Sequence, residues 1–135
     1  MSITKYEMPE DLAATAYCLF PQDLEDHPLV LFHATPMKNF DAIDADGFKI
    51  PNPGAVVPGA GLPSVSFAKR SSASLTHAVT KRHTCPGDYC VFAVRYENLD
   101  RHGIKVNTSD IHDYTLEPPP ETIGYCIIPS TYVHR

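Results

Sequence analysis

The sequence predicts an α+β fold built on a split, mostly antiparallel β-sheet with short helices inserted singly. Its strongest apolar runs are short and rich in β-branched and aromatic residues, as in YCVFAVRYE at 89–97. The amphipathic stretches stand singly between such runs, without the regular strand–helix alternation of a parallel sheet. Of the 135 residues, 43% are hydrophobic and 20% are charged, which is the composition of one packed domain.

The N-terminal segment, 1–28, is predicted to be an extension that precedes the main domain at 29–135. A short helix is predicted around Glu10 to Phe20. The proline-flanked PQDLEDHP that follows has the composition of a connector. We therefore expect the fold proper to begin at Leu29.

The domain is predicted to open with a strand, a short helix and a long loop. LVLFHAT (29–35) is a β-rich apolar run, and apolar residues recur at helical spacing in MKNFDAIDADG, where Gly47 follows the last turn. Residues 51–63 hold four prolines and three glycines, which exclude a helical ladder or a central strand there. A loop of this length either covers a ligand or is a floppy insertion, and the sequence leaves both readings open.

The rest of the chain is predicted to contain one helix among extended segments. The predicted elements are a strand at SVSFA (64–68), a helix at SSASLTHAVTKRH (71–83), the strand at 89–97, two shorter extended pieces at IKV (104–106) and DYTLE (113–117), and a last strand at ETIGYCIIP (121–129).

Charge and hydropathy disfavour two classes of partner. The net charge of −5 and the pI of about 5.7 give no overall positive field to attract a polyanion, so charge does not favour nucleic-acid binding. No apolar run approaches the roughly 18 residues of a membrane helix, and the first residues lack a secretory pattern. We expect a cytoplasmic protein with no membrane partner.

The cysteines are scattered without CxxC spacing, so we expect free thiols and no disulfide-linked partner. They are Cys18, Cys85, Cys90 and Cys126. Two of them follow His77 and His83 and complete a set of four zinc-type ligands. Their H-x5-H-x-C-x4-C spacing is looser than that of zinc fingers, so no metal is expected and a zinc site remains an alternative.

Three features can carry chemistry, namely His33 at the end of the first core strand, the serine-rich segment from Ser64 to Ser74, and Glu121 at the head of the last strand. Each alone has an ordinary structural explanation, as a strand-end histidine, a helix N-cap or a solvated turn residue. Their order and spacing together resemble the ADP-ribosyltransferase superfamily over most of the chain after Leu29.

The first element of that resemblance is LFHAT, because the first strand of the family ends in His-Gly-Ser/Thr. The resemblance implies that His33 binds ribose hydroxyls on the adenosine side of NAD. It also implies that the backbone of Ala34 and the hydroxyl of Thr35 lie near the nicotinamide. Ala34 stands where the family usually has glycine.

The second element is SFAKRSSASLTH, which is similar to the Phe-Ala and Ser-x-Ser pattern of the polymerase-like branch. The likeness implies that Ser74 hydrogen-bonds the nicotinamide carboxamide and that His77 replaces a stacking aromatic residue. Ser66 stands in the place of a tyrosine in that branch, and SVS also resembles the Ser-Thr-Ser strand of the arginine-modifying branch. FAKRS is similar to a stretch of the DarT-type enzymes, which modify DNA bases, and implies that Arg70 binds the NAD phosphates or positions the acceptor.

The third element is ETIGYCIIPSTYV, which resembles a late strand headed by the catalytic glutamate. Glu121 would hold the ribose 2′-hydroxyl while positive charge develops on the ribose ring. Pro119 stands where the arginine-modifying branch carries a second glutamate, so arginine is a less expected acceptor. The resemblance predicts an NAD-dependent mono-ADP-ribosyltransferase whose acceptor, a protein, a nucleic acid or a small molecule, stays open.

Two alternatives share this fold. An RNA 2′-phosphotransferase would need basic side chains to hold a phosphorylated RNA, and Arg70, Arg82 and Arg95 are candidates. A catalytically silent module would bind NAD or another nucleotide without turnover. Release of ADP-ribose 1″,2″-cyclic phosphate from a 2′-phosphorylated RNA would identify the first alternative, and NAD binding without nicotinamide release would identify the second.

Overall fold

A seven-stranded sheet with short helices forms the fold in the computed structural model, which describes residues 3–50 and 64–133. The strands are β1 (Thr4–Tyr6), β2 (Val30–Pro36), β3 (Val65–Ala68), β4 (Tyr89–Arg95), β5 (Ile104–Val106), β6 (Asp110–Asp113) and β7 (Glu121–Ile128). The helices are α1 (Gln22–Glu25), a 3-10 helix (Met37–Asn39), α2 (Phe40–Asp46) and α3 (Ser71–Lys81). The predicted α+β class is confirmed.

The strand order is β1-β7-β4-β2-β3-β6-β5, and every neighbouring pair is antiparallel except β1 with β7. The prediction of a mostly antiparallel sheet is therefore confirmed. β2 and β4 pair over seven residues, whereas β2 and β3 share one backbone pair, Phe32 with Ala68. The sheet thus consists of two halves that are joined at one point and part beyond it.

The two faces of the sheet bury separate apolar clusters because side chains alternate along each strand. Val30 and Phe32 of β2 pack with Leu75 of α3 in one cluster. Leu31 packs with Phe67 of β3 in the other cluster. α3 therefore lies against β2 on the first face. Within the described ranges, no helix has both the length and the apolar character to cross a membrane.

The predicted helix around Glu10 to Phe20 is not formed. This region contains hydrogen-bonded turns, and Ala16 and Tyr17 adopt positive φ angles of 53° and 65°, which a right-handed helix does not allow. The Thr15 hydroxyl contacts the carbonyls of Leu12 and Cys18 at 3.2 and 2.9 Å, and such local bonds compete with a helical ladder. The short helix α1 lies instead in the segment predicted to be a connector.

The N-terminal segment is packed into the same core as the rest of the chain. Leu19 and Phe20 are 2% and 6% exposed and belong to the cluster that contains Phe32. β1 extends the sheet by pairing with β7. Residues before Leu29 thus contribute both an edge strand and buried side chains.

The prediction of an extended piece at 113–117 is wrong, because β6 ends at Asp113, where that piece was expected to begin. The carboxylate of Asp113 accepts hydrogen bonds from the backbone N–H groups of Thr115 and Leu116 at 3.1 and 2.9 Å, and Leu116 has a φ of 52°. An Asx turn therefore replaces the strand. The other predicted strands and helices after Leu29 are confirmed, and the loop at 51–63 lies outside the described residues.

Candidate functional site

A cleft lies where β2 and β3 part beyond the Phe32–Ala68 pair. It consists of two adjoining cavities of about 210 and 670 Å³ that share His33, Ser66 and His77 in their lining. β2, β3 and α3 line the smaller cavity, and the segment around α2 lines the larger one. The cleft therefore exists because the two halves of the sheet are joined by only one backbone pair.

His33 bridges the two halves of the sheet through its ring. Its Nδ1 lies 2.7 Å from the carbonyl oxygen of Ser66. A carbonyl only accepts, so Nδ1 carries the proton and Nε2 is left as an acceptor in the neutral ring. Burial lowers the pKa of His33 below its ordinary value, and the nearby His77 lowers it further. His33 is thus a neutral histidine whose Nε2 can accept a hydrogen bond from a hydroxyl.

α3 supplies Ser74 and His77 to the cleft. Ser74 is 4% exposed and lines the smaller cavity. His77, one turn later, lines both cavities. Partial burial lowers its pKa, as does the charge of Lys81. The two side chains lie on one face of α3 because they are three residues apart.

The residues around His33 line different parts of the cleft. Ala34 borders the smaller cavity and Thr35 the larger one. The Thr35 hydroxyl accepts a hydrogen bond from the Asn39 side-chain amide at 3.0 Å. Ser66 borders both cavities. The structure therefore brings together six of the predicted residues, namely His33, Ala34, Thr35, Ser66, Ser74 and His77.

Arg70 lies outside the cleft. Its guanidinium donates to the carboxylate of Asp26 at 2.6 Å, on the side of the N-terminal segment. This hydrogen bond is the main cause of the lowered pKa of Asp26 and of the raised pKa of Arg70. The structure thus gives Arg70 a salt-bridge partner rather than a place in the cleft.

Glu121 also lies away from the cleft, at the head of β7. It pairs across the ladder with Arg95, whose guanidinium donates to its carboxylate at 3.1 Å, and it lines a separate cavity of about 520 Å³. Glu121 pairs with Arg95 of β4, and Arg95 pairs with Val30 of β2, whereas His33 lies three residues further along β2. The structure does not bring Glu121 together with His33.

The acidic side chain that lines the cleft, among the described residues, is Asp110 of β6, which borders the smaller cavity beside Ser74. The amide of Asn107 donates to its Oδ1 at 2.9 Å, and this hydrogen bond is the first cause of its lowered pKa. Asp110 was not predicted as a site residue, because the extended piece was predicted at 113–117 and the strand that forms is Asp110–Asp113. The signal was the alternation in Asp-Ile-His-Asp, in which Ile111 and Asp113 are buried and their neighbours face the other way.

The zinc-type ligands do not assemble. Within the described ranges, no cluster of three or more histidine, cysteine or acidic side chains is arranged to hold a metal ion. The three arginines of the phosphotransferase alternative are likewise apart, because Arg70 pairs with Asp26, Arg95 pairs with Glu121, and Arg82 donates to the carbonyls of Ser130 and Tyr132.

Comparisons with protein-family models, with curated proteins and with solved structures find no match to this chain.

Proposed function

We propose that the protein is a mono-ADP-ribosyltransferase that binds NAD in the cleft between β2 and β3. One observation carries the proposal. His33, Ser66, Ser74 and His77 come from three separate segments, were singled out from the sequence for their resemblance to NAD-binding motifs, and line the same cleft.

The chemistry of the lining suits the parts of NAD. The Nε2 of His33 is an acceptor, which matches a ribose hydroxyl as donor. Ser74 is buried at the smaller cavity, and a hydroxyl there can hydrogen-bond a carboxamide. The exposed ring of His77 borders both cavities and offers a flat surface to the nicotinamide.

Asp110 is the carboxylate that we assign to the transition state. When the bond from the ribose C1″ to the nicotinamide nitrogen breaks, its electron pair leaves with the nicotinamide and positive charge develops on the ribose ring. A carboxylate beside the ring stabilises that charge more than it stabilises bound NAD. The hydrogen bond that Asp110 accepts from the Asn107 amide lowers its pKa and so favours the ionised carboxylate, which lies at the smaller cavity.

This assignment moves the catalytic role from Glu121 to Asp110, and paired variants test it. The measurement is nicotinamide release from NAD by the purified protein, with NAD binding followed by calorimetry. We expect wild type to release nicotinamide, and Asp110→Asn to bind NAD but release nicotinamide on the order of 100-fold more slowly. Glu121→Gln is expected to keep the wild-type rate, since Glu121 lines a different cavity.

The other outcomes separate the alternatives. NAD binding without release by wild type would favour the silent module. Release of ADP-ribose 1″,2″-cyclic phosphate from a 2′-phosphorylated RNA would favour the phosphotransferase. A loss of release in Glu121→Gln with normal release in Asp110→Asn would return the catalytic role to Glu121.

A further inference from the structure

A serine that directly precedes β3 forms a hydrogen-bonded triad with a histidine and an aspartate of β6. The hydroxyl oxygen of Ser64 lies 2.9 Å from Nδ1 of His112, and Nε2 of the same ring lies 3.1 Å from Oδ2 of Asp110. The register of the two strands explains the contacts, because Ser66 pairs with His112 and Ala68 pairs with Asp110. Backbone pairing therefore positions His112 and Asp110, and Ser64 directly precedes the first paired residue of β3.

The direction of the hydrogen bonds follows from the chemistry of the groups. A carboxylate accepts only, so Nε2 of His112 donates to Asp110, and Nδ1 of the neutral ring is left to accept the hydroxyl hydrogen of Ser64. Asp110 is itself held by Asn107 through its other oxygen. This is the order of groups in an activated serine: a nucleophile, a base and a carboxylate that orients the base.

Ser64 is placed where a ligand of the cleft can meet it. It is half-buried and lines the larger cavity together with His33 and Ser66, while Asp110 lines the smaller cavity. Ser64 precedes β3 and lies two residues before Ser66 along the backbone. Val65 and Phe67 face the apolar cluster on the other side.

A structural role alone does not require this arrangement. Val65 and Phe67 already anchor β3 in the core, and four residue pairs already join β3 to β6. The His112 side chain is 28% exposed and that of Asp110 is 39% exposed. Water could therefore supply hydrogen-bond partners to both side chains if they did not contact each other and Ser64. The side chains instead connect the two cavities of the cleft through a nucleophile and its base.

We propose that Ser64 is an acceptor of the ADP-ribosyl group, activated by His112 and Asp110, so that the protein modifies itself. The inference rests on the proposed function, because it needs NAD in the cleft. The oxygen of Ser64 forms a bond to C1″ of the ribose while the bond from C1″ to the nicotinamide nitrogen breaks. Nicotinamide leaves as a neutral molecule with the electron pair, and the hydroxyl proton of Ser64 passes to Nδ1 of His112. Asp110 stabilises the imidazolium that results.

The experiment incubates the purified full-length protein with NAD and follows two readouts in the same sample. Nicotinamide release reports the proposed function, and peptide mapping by mass spectrometry reports the residue that carries ADP-ribose. We expect one ADP-ribose per chain, on Ser64. We also expect none at that position in Ser64→Ala.

Two further variants make the test specific. His112→Asn keeps an amide near the position of Nδ1 but removes the base, and we expect the initial rate of Ser64 modification to fall on the order of 100-fold. Ser72→Ala is the matched control, since Ser72 lies on α3 outside both cavities, and we expect its modification of Ser64 to equal that of wild type. Circular dichroism establishes that each variant is folded.

The outcomes distinguish this inference from the proposed function. Nicotinamide release with ADP-ribose absent from Ser64 would overturn the inference and leave the proposed function standing. Modification of Ser64 at the wild-type rate in folded His112→Asn would overturn the role of the base. No nicotinamide release by wild type would overturn the proposed function and this inference together.

Discussion

His33 uses its two ring nitrogens differently, and burial preserves that difference. Nδ1 donates to the carbonyl of Ser66, so Nε2 stays an acceptor only while the ring is neutral. Burial lowers its pKa in the folded protein, with His77 adding to the effect. The stability that the neutral ring contributes is therefore present above the ordinary value of about 6.5 and is lost as the pH falls through the lowered pKa.

Substitutions of His33 can separate its two contacts. His33→Asn keeps a donor for the Ser66 carbonyl and loses the Nε2 acceptor, so we expect NAD to bind about 10-fold more weakly, as for one lost hydrogen bond. His33→Ala also leaves the carbonyl of Ser66 without its donor, and we expect the free energy of unfolding to fall by about 1–3 kcal/mol as well. Calorimetry and urea unfolding measure the two effects.

The exposed His102 provides the control for these measurements, because it lies outside the residues that line the cleft. His102→Asn is expected to match wild type in both assays. Unchanged NAD affinity in both His33 variants would place the NAD site elsewhere.

At the scale of the elements, α3 is capped by a side chain from another helix. Its N-cap residue, Arg70, makes no side-chain capping bond. The carboxylate of Glu25 on α1 accepts from the N–H of Ser71 at 3.0 Å, from the hydroxyl of Ser71, and from the N–H of Phe20 at 3.2 Å. A carboxylate at this position also favours the helix dipole. The helix that carries Ser74 into the cleft is thus fixed by the N-terminal segment.

Removing this carboxylate should therefore lower the free energy of unfolding more than removing an exposed carboxylate does. Glu25 is 4% exposed, and we expect Glu25→Ala to lower the free energy of unfolding by about 3 kcal/mol because its buried donors lose their acceptor. The control is Glu7→Ala, whose side chain is 86% exposed and 3.8 Å from Lys5, with an expected change within about 0.5 kcal/mol. Equal losses in urea unfolding would show that Glu25 does not cap α3.

At the scale of the whole molecule, the pattern of apolar residues predicted most of the elements after Leu29, because burial of those residues determines each of them. β4 is buried over six successive residues, and its apolar run left no other structure open. The prediction of an extended piece at 113–117 was wrong because the carboxylate of Asp113 accepts hydrogen bonds from the backbone N–H groups of Thr115 and Leu116. Periodicity does not detect such a local contact.

The site was harder to predict than the fold because it depends on how distant strands pair. His33 and Ser74 line the same cavity, since each lies on or close to a strand that borders it. Glu121 was chosen by its position at the head of a strand, but that strand joins the sheet beside β4 and not beside β3. Asp110 lies at the cleft because β6 pairs with β3, and no local pattern in the sequence predicts that pairing.

The N-terminal segment also contacts distant parts of the chain, through the pairing of β1 with β7 and the packing of Phe20. A substitution of Phe20 tests how much these contacts contribute to stability. Its ring lies 5.2 Å from that of Tyr6 in β1 and 5.1 Å from that of Phe32 in β2, so it joins the edge strand to the central one. We expect Phe20→Ala to lower the free energy of unfolding by about 3–5 kcal/mol, a large share of the 5–15 kcal/mol typical of a domain. Val106→Ala, at a position that is 51% exposed, is the control and should change it by less than about 0.5 kcal/mol. Urea unfolding measures both variants, and a loss below 1 kcal/mol in Phe20→Ala would mean that the main domain is stable without its N-terminal segment, because the contact that ties them would then contribute little.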